Sequence, residues 1–406
     1  MSDPVPLGWK QYYVSDLIAY HASGPSPTCE ERQIREQEWG LLKTTAITWA
    51  GWDAAAHKTL PRNYWNQPAL EVNNDDVLVT KAGPRHRVGV VVHVNDHPQP
   101  RLIVSGKMVL LRPRTQLVLP RILASALSLE SPQNFLDERT SGMAESQVNF
   151  TNAALLRTLL TLPPIVEQRR IVEILDAVDE QIRSFGKVLA KAEARERGLI
   201  EAALSKVGRP SEPISMYLAG RPKNGYSPVE TDHWTGVRAL GLGCLTRQGF
   251  KPVQLKDVPK HDGRNLLAML SDGDLLVSRA NTRDLVGLVG IYRDVGTPCI
   301  YPDLMMRLTT NGRCVPEFLE LVLRSSRVRR QIQAHAQGTS ESMVKISSAT
   351  VLGLQVQIPE IAVQHDVLSM VSACRSDADR VGNELRKLQN LRLGLVEDLL
   401  TGRVRF

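Results

Sequence analysis

The chain lacks the signatures of several large function classes. Its five cysteines are Cys29, Cys244, Cys299, Cys314 and Cys374, and none forms a Cys-x-x-Cys pair. No histidine pair stands at zinc-finger spacing, so a zinc ribbon or finger is excluded. Scattered thiols of this kind are expected to be reduced and buried. No Gly-x-x-x-x-Gly-Lys-Ser/Thr loop occurs, which excludes a P-loop nucleotide site. Also absent is an Asn/Asp-Pro-Pro-Tyr run of the amino-methyltransferase kind. The glycine-rich Ala239–Gly243 stands outside any dinucleotide fingerprint and reads as a turn. Pro302-Asp303 with Glu317 has no lysine at useful spacing, so nuclease carboxylates are not expected there. Apolar runs such as Val88–Val92 are far shorter than the roughly 20 residues that span a bilayer. The start, MSDPVPLGWKQYY, has no charged-then-apolar signal pattern, and a cytoplasmic protein without membrane contact is expected.

What is present is an ordinary globular composition with an uneven basic excess. The 406 residues carry 50 basic and 43 acidic side chains, a net charge of +7. Residues 207–359 hold 19 basic and 13 acidic groups, net +6, whereas residues 1–163 hold 16 and 15, net +1. A basic excess favours a polyanionic partner such as nucleic acid.

The strongest signal is an internal repeat. Asp76–Gly89 (DVLVTKAGPRHRVG) aligns without gaps to Asp274–Gly287 (DLLVSRANTRDLVG), with seven of fourteen positions identical. Farther on the offset settles at 196: Pro120 with Pro316, Val148 with Val344, Leu162-Pro163 with Ile358-Pro359, Gln168 with Gln364. Gly198–Glu201 matches Gly394–Glu397 in the same way. This is a duplicated globular unit plus a helix, too long a period for a solenoid. Within each copy, β-rich runs are expected at Val88–Val94, Lys107–Leu111, Leu275–Ser278 and Val286–Tyr292.

Each copy ends in a long amphipathic helix. Apolar positions Ile171, Leu175, Val178, Ile182, Phe185 and Leu189 recur at spacings of three and four in the first. Val371, Cys374, Ala378, Val381, Leu385 and Leu388 do so in the second. Such a stripe is a coiled-coil seam, and about 40 residues make a rod of roughly 60 Å. The stripe breaks at Glu196 and Arg392, equivalent positions, and both charges are expected to reach solvent near a frayed end. The fold class is therefore α+β: two tandem mixed α/β domains, separated and followed by long helices that pair as an antiparallel coiled coil. The divisions are 1–163, 164–206, 207–359 and 360–406. Two related modules on a rigid spacer make a pseudo-dimer, and twofold dimers read paired DNA half-sites.

The chain resembles the specificity subunits of Type I restriction–modification systems. The residues that carry the likeness are LPPIVEQRRIVEILDAVDEQI (Leu162–Ile182) and GLVEDLLTGRVRF (Gly394–Phe406). PLGWKQYYVSDLI (Pro6–Ile18) and GDLLVSRANTRDLVG (Gly273–Gly287) also contribute. The second helix departs from the pattern, with Val363 where the first copy has Glu167. The resemblance implies a non-catalytic subunit whose two target-recognition domains each read one half of a bipartite double-stranded DNA sequence. It implies two docked methyltransferase subunits, with two motor-nuclease subunits as an optional addition. S-adenosylmethionine, ATP and Mg2+ would then sit on the partners, and no cofactor on this chain.

Candidate DNA-binding residues follow the β-run in each copy: Lys81, Arg85, His86 and Arg87, and Arg279, Asn281, Thr282 and Arg283. Such side chains donate to phosphates and to base edges. A second expected loop holds Lys223, Asn224 and Tyr226. A third holds Gln337, Ser340, Ser342 and Lys345, with Thr140, Ser141 and Gln147 near the matching place in copy one. Arg327, Arg329 and Arg330 form a basic cluster, read equally as a phosphate site or a solvated helix face. The outward helix faces and the tail Thr401–Phe406 are the expected methyltransferase interface. Two other readings stay open: a specificity-like subunit of a methylation-only or other phage-defence complex, and a duplicated scaffold without a DNA role.

Overall fold

The computed structural model describes residues 5–49, 51–95, 98–144, 147–205, 210–260, 262–340 and 343–405. It is a mixed α/β protein with two long helices. The chain divides into two compact units, residues 1–185 with 384–406, and residues 186–383.

The elements of the first unit that position the site are five strands, two short helices and a hairpin. They are β1 (Ile18–Ala22), β2 (Val77–Thr80), β3 (Ala82–Gly83), β4 (Val91–His93), β5 (Met108–Pro113), α1 (Pro120–Leu127), α2 (Glu130–Asp137), β6 (Ser141–Ala144) and β7 (Gln147–Asn149). The long helix α3 (Ile165–Ser205) follows and passes into the second unit. There the corresponding elements are β8 (Lys223–Asn224), β9 (Leu275–Ser278), β10 (Ala280–Asn281), β11 (Val289–Ile291), β12 (Met305–Leu308), α4 (Pro316–Arg324), α5 (Ser326–His335), β13 (Gln337–Ser340) and β14 (Met343–Lys345). The last long helix is α6 (Ile361–Thr401).

Both units build the same four-stranded antiparallel sheet, in the order β1-β5-β2-β4 and β8-β12-β9-β11. Its central strands are buried on both faces, because successive side chains point to opposite sides. Val77 and Val79 pack under α1, while Leu78 enters a second cluster with Val92 and Leu110. Leu275 and Val277 likewise face Phe318 and Val322 of α4, while Leu276 faces Tyr301 and Met305. Pro120 and Pro316 each open their helix at its first position, where a missing N–H costs nothing.

Two expectations about strands are corrected. Val88–Val94 and Val286–Tyr292 are strands only at Val91–His93 and Val289–Ile291. Gly89 and Gly287 take φ of 86° and 73° and turn the chain before the strand begins. Each turn is closed by the glycine N–H, which donates to Thr80 or Ser278 at 2.8 Å. Lys223 and Asn224, expected in a loop, form the edge strand β8 opposite Arg307 and Met306.

Each long helix runs for 41 residues and is tied to its globular domain by one buried glutamine. The Gln168 amide donates to the carbonyls of Leu117 and Pro163, and its oxygen accepts from the Leu119 N–H at 2.9 Å. Gln364 does the same with Arg313, Pro359 and Val315. Every partner is shifted by the repeat offset, so the clamp is duplicated atom for atom.

In the first unit the start of α3 lies against the end of α6: Ile171 and Leu175 share a core with Leu399 and Leu400. Arg392 Nε donates to Asp179 Oδ1 at 2.5 Å, and Arg405 to Glu167 at 3.4 Å. Trp9 also donates to Glu167, and Gly402 packs on Pro6, so both ends of the described chain meet there. In the second unit Arg375 Nε donates to Glu196 Oε1 at 2.7 Å, and Ile200 packs with Val371. Numbers rise along one helix as they fall along the other, so these contacts are antiparallel. Glu196 and Arg392, expected in solvent, are therefore partnered across the helices; the Glu196 side chain is only 15% exposed. Of the seam positions, Ile171, Leu175 and Val371 are buried. Val178, Ile182, Phe185, Leu189, Cys374, Ala378, Val381, Leu385 and Leu388 are half-buried.

The glutamine clamp yields the first prediction. Gln364→Leu leaves the Val315 N–H and two carbonyls buried without their partner and lowers stability by about 2–4 kcal/mol. Urea unfolding checks this; an unchanged midpoint would show that the clamp contributes nothing.

Candidate nucleic-acid interface

The candidates that follow the β-run of each copy lie at one edge of their unit, at the end of the central strand. After β2 the chain passes through Lys81 into β3, and after β9 through Arg279 into β10. Each of these two-residue strands joins a hairpin to make a small sheet, β3-β7-β6 in one unit and β10-β14-β13 in the other. The hairpin is fastened back on the same spot: Phe150 N–H donates to Lys81 O, and Ile346 N–H to Arg279 O. One buried valine, Val148 or Val344, anchors the middle strand, and its neighbours alternate outward. Gln147 and Asn149 are thereby exposed in the first unit, Met343 and Lys345 in the second. Lys345 pairs with Gln337 on one side and Ala280 on the other, while Asn281 lies across from Val344.

The second expected loop reaches the same end of the sheet in the second unit. Gly225 N–H donates to Met305 O, and Arg279 N–H donates to the adjacent Leu304 O. Lys223 and Asn224 are exposed there. Tyr226 is held differently, its hydroxyl donating to Asp262 at 2.6 Å while its ring packs on a core cluster. Ser340 ends β13 opposite Met343, and Ser342 lies outside the described residues.

The basic side chains divide into those that hold the edge together and those that extend from it. Arg283 donates to the carbonyls of Gln333 and Ala336, at 2.9 and 3.2 Å, closing the C-terminal end of α5. Arg329 reaches the opposite way, to the carbonyls of Val286 and Asp284, and burial pushes its guanidinium below its usual range. These two arginines staple the 282–286 turn to the helix. Arg327 is likewise engaged, with Gln357 and Ser211, leaving Arg330 exposed. Arg85 pairs with Asp137 at 2.5 Å and reaches Thr140. Lys81 is tied inward to Ser23 Oγ at 2.9 Å and Asn152 Oδ1 at 3.1 Å, and desolvation lowers its pKa. Arg279 occupies the repeat-equivalent position, is half-buried, and has no side-chain partner among the described residues. Asn281 accepts from the Thr282 N–H, and both are half-buried. His86 is exposed and Arg87 half-buried. The polar ends of Arg85, Arg283, Lys81 and Tyr226 are thus engaged within the fold.

The pattern of the Type I restriction modification DNA specificity domain matches residues 62–194. That match covers the first edge and the start of α3. Over these residues the chain is similar to Type I specificity subunits. The EcoEI specificity subunit of Escherichia coli is 32% identical over 184 residues, 44% of this chain and 31% of that protein. The aligned part is thus under a third of that relative's length. The EcoKI specificity subunit of Escherichia coli strain K12 is 20% identical over 391 residues, covering 91% of this chain and 83% of that one. Two solved structures share the fold. One is a chain from a type I R-M system solved to explain complex assembly and conformational transition, 15% identical, with a TM-score of 0.56. It covers 99% of this chain and 100% of that one. The other is the S subunit of a Type I system from M. genitalium, 12% identical, TM-score 0.53, covering 98% of each.

One residue of the first edge, Asn149, is missing from the candidates read from the sequence. It is exposed on β7 and is the counterpart of Lys345 at the offset that matched Val148 to Val344. Extending the offset by one residue finds it.

The split between holding and extending residues is testable. Arg283→Ala removes two bonds to otherwise unmatched carbonyls, lowers stability by about 1–3 kcal/mol and opens the 282–286 turn to proteolysis. Arg279→Ala changes stability by less than about 0.5 kcal/mol. Thermal melts with limited proteolysis check both; equal losses would refute the division.

Proposed function

We propose that this chain is the DNA sequence-recognition subunit of a Type I restriction–modification complex. The observation that carries the reading is the duplicated edge, with Arg279, Gln337 and Lys345 extending from one unit and Gln147 and Asn149 from the other. Each domain then reads one half of a bipartite target. Helices α3 and α6 pair as an antiparallel coiled coil and set the gap between the halves. The residue-by-residue repeat and the antiparallel ion pairs within each unit support this arrangement.

The chemistry belongs to partners in this reading. Two methyltransferase subunits dock on the outer helix faces, and motor-nuclease subunits join where cleavage accompanies methylation. S-adenosylmethionine, ATP and Mg2+ are bound by those partners, in the cytoplasm. The tail is a weaker docking candidate than expected, because Arg403 and Arg405 are engaged with Glu397 and Glu167. The near-neutral first domain, net +1, implies that partner charge completes the DNA channel.

The test is selection from randomised duplexes by the chain co-purified with its methyltransferase, at near-physiological salt because nonspecific affinity depends steeply on salt. Two short motifs with a constant gap are expected. A single contiguous motif would overturn the two-module reading, and no enrichment by an assembled complex would favour a scaffold. Arg279→Ala should weaken binding to the selected duplex and reduce the salt slope by about one phosphate contact. An unchanged slope and affinity would remove Arg279 from the interface.

A further inference from the structure

The two ion pairs that link the long helices occupy equivalent places in the repeat with their signs exchanged. Asp179 corresponds to Arg375, and Glu196 to Arg392. In the first unit Arg392 meets Asp179, and in the second Arg375 meets Glu196. Helix α3 is therefore acidic at both crossing points and α6 basic at both. We infer that this charge code selects the pairing of an α3 with an α6 and rejects pairing of like helices from two copies.

The argument is geometric. The contacts are antiparallel, so the position occupied by Asp179 on one helix faces the position occupied by Glu196 on its mate. Two copies of α3 in that register would set Asp179 against Glu196 twice. Two copies of α6 would set Arg375 against Arg392 twice. Like charges facing each other across a helix seam discriminate against the wrong partner. The sites are shielded enough for this to matter, since the acidic side chains are 25% and 15% exposed. Their surroundings amplify a mismatch. Asp179 is also held by Arg121, which bonds Asp176 as well. Arg375 lies near Arg324 and Glu320. Its Nη2 is buried without a partner, so loss of Glu196 leaves a poorly compensated charge. A repeat built by duplication begins with identical halves that pair equally well with themselves. The exchanged signs make the halves complementary instead. The inference rests on the antiparallel helix pairing proposed above and needs no DNA.

The test uses full-length chains with two different tags. An acidic chain carries Arg375→Glu with Arg392→Glu, and a basic chain carries Asp179→Arg with Glu196→Arg. Co-expressed, the acidic and basic chains should co-purify one to one by exchanging helices. Either should capture the wild-type chain at least about tenfold less. A chain with all four substitutions should be self-matched again, escape capture, and recover the melting temperature lost by each double variant. The inference is overturned if acidic and basic chains do not capture each other, or if either captures the wild-type chain equally well. Should the double variants fail to fold, the fourfold variant decides: recovery of the melt supports the inference, and no recovery overturns it. A short cross-link between Leu189→Cys and Gly382→Cys, mapped by peptide mass, checks the pairing separately, since a Cβ at Gly382 lies 4.0 Å from Leu189. If that link forms while the charge variants behave as wild type, the helix pairing stands and the charge code falls. If the link is absent, both fall.

Discussion

The buried glutamine at the start of each long helix is the constraint on which the rest depends. A helix of 41 residues is a lever, and a small error at its root becomes a large one at its tip. Gln168 and Gln364 remove that freedom by making three bonds apiece to main-chain groups on two different segments. Main-chain partners suit this task, because they do not change when side chains around them do. The two edges can therefore diverge while the angle at which each helix leaves its domain stays fixed.

Divergence is what the two edges show. The same three-stranded sheet is built twice, yet Lys81 is folded inward onto Ser23 and Asn152 while Arg279 at the matching place has no side-chain partner among the described residues. On their middle strands the first edge presents the amides Gln147 and Asn149 where the second presents Met343 and Lys345. A shared scaffold with different exposed chemistry is what two unlike half-sites would require.

Much of this was legible in the sequence. The repeat offset located both glutamines and the valine anchors, because local backbone demands and core positions leave identical residues behind. The apolar stripe marked Ile171, Leu175 and Val371, which are buried, since a helix buries every third or fourth residue whatever its partner. The fate of the charged residues was less legible. Arg283 has its acceptors at Gln333 and Ala336, and Arg85 has its acceptor at Asp137, some fifty residues away in each case. No local pattern announces such a partner, and an arginine in a turn looks free until the fold is known. Glu196 and Arg392 looked misplaced for the same reason, their partners lying on the other helix. Val88–Val94 was overextended because its apolar composition outweighed the one glycine that turns it.

The meeting of residues 6–9 with residues 402–405 at Glu167 bears on how the protein is made. The first unit is assembled from both ends of the chain, residues 1–185 and 384–406, whereas the second is the continuous stretch 186–383. On a ribosome, the second unit has all of its residues before the first has its last. The first unit therefore waits, with the apolar face of early α3 uncovered, until Leu399 and Leu400 arrive. That one apolar stripe is the part of the first unit that synthesis completes last.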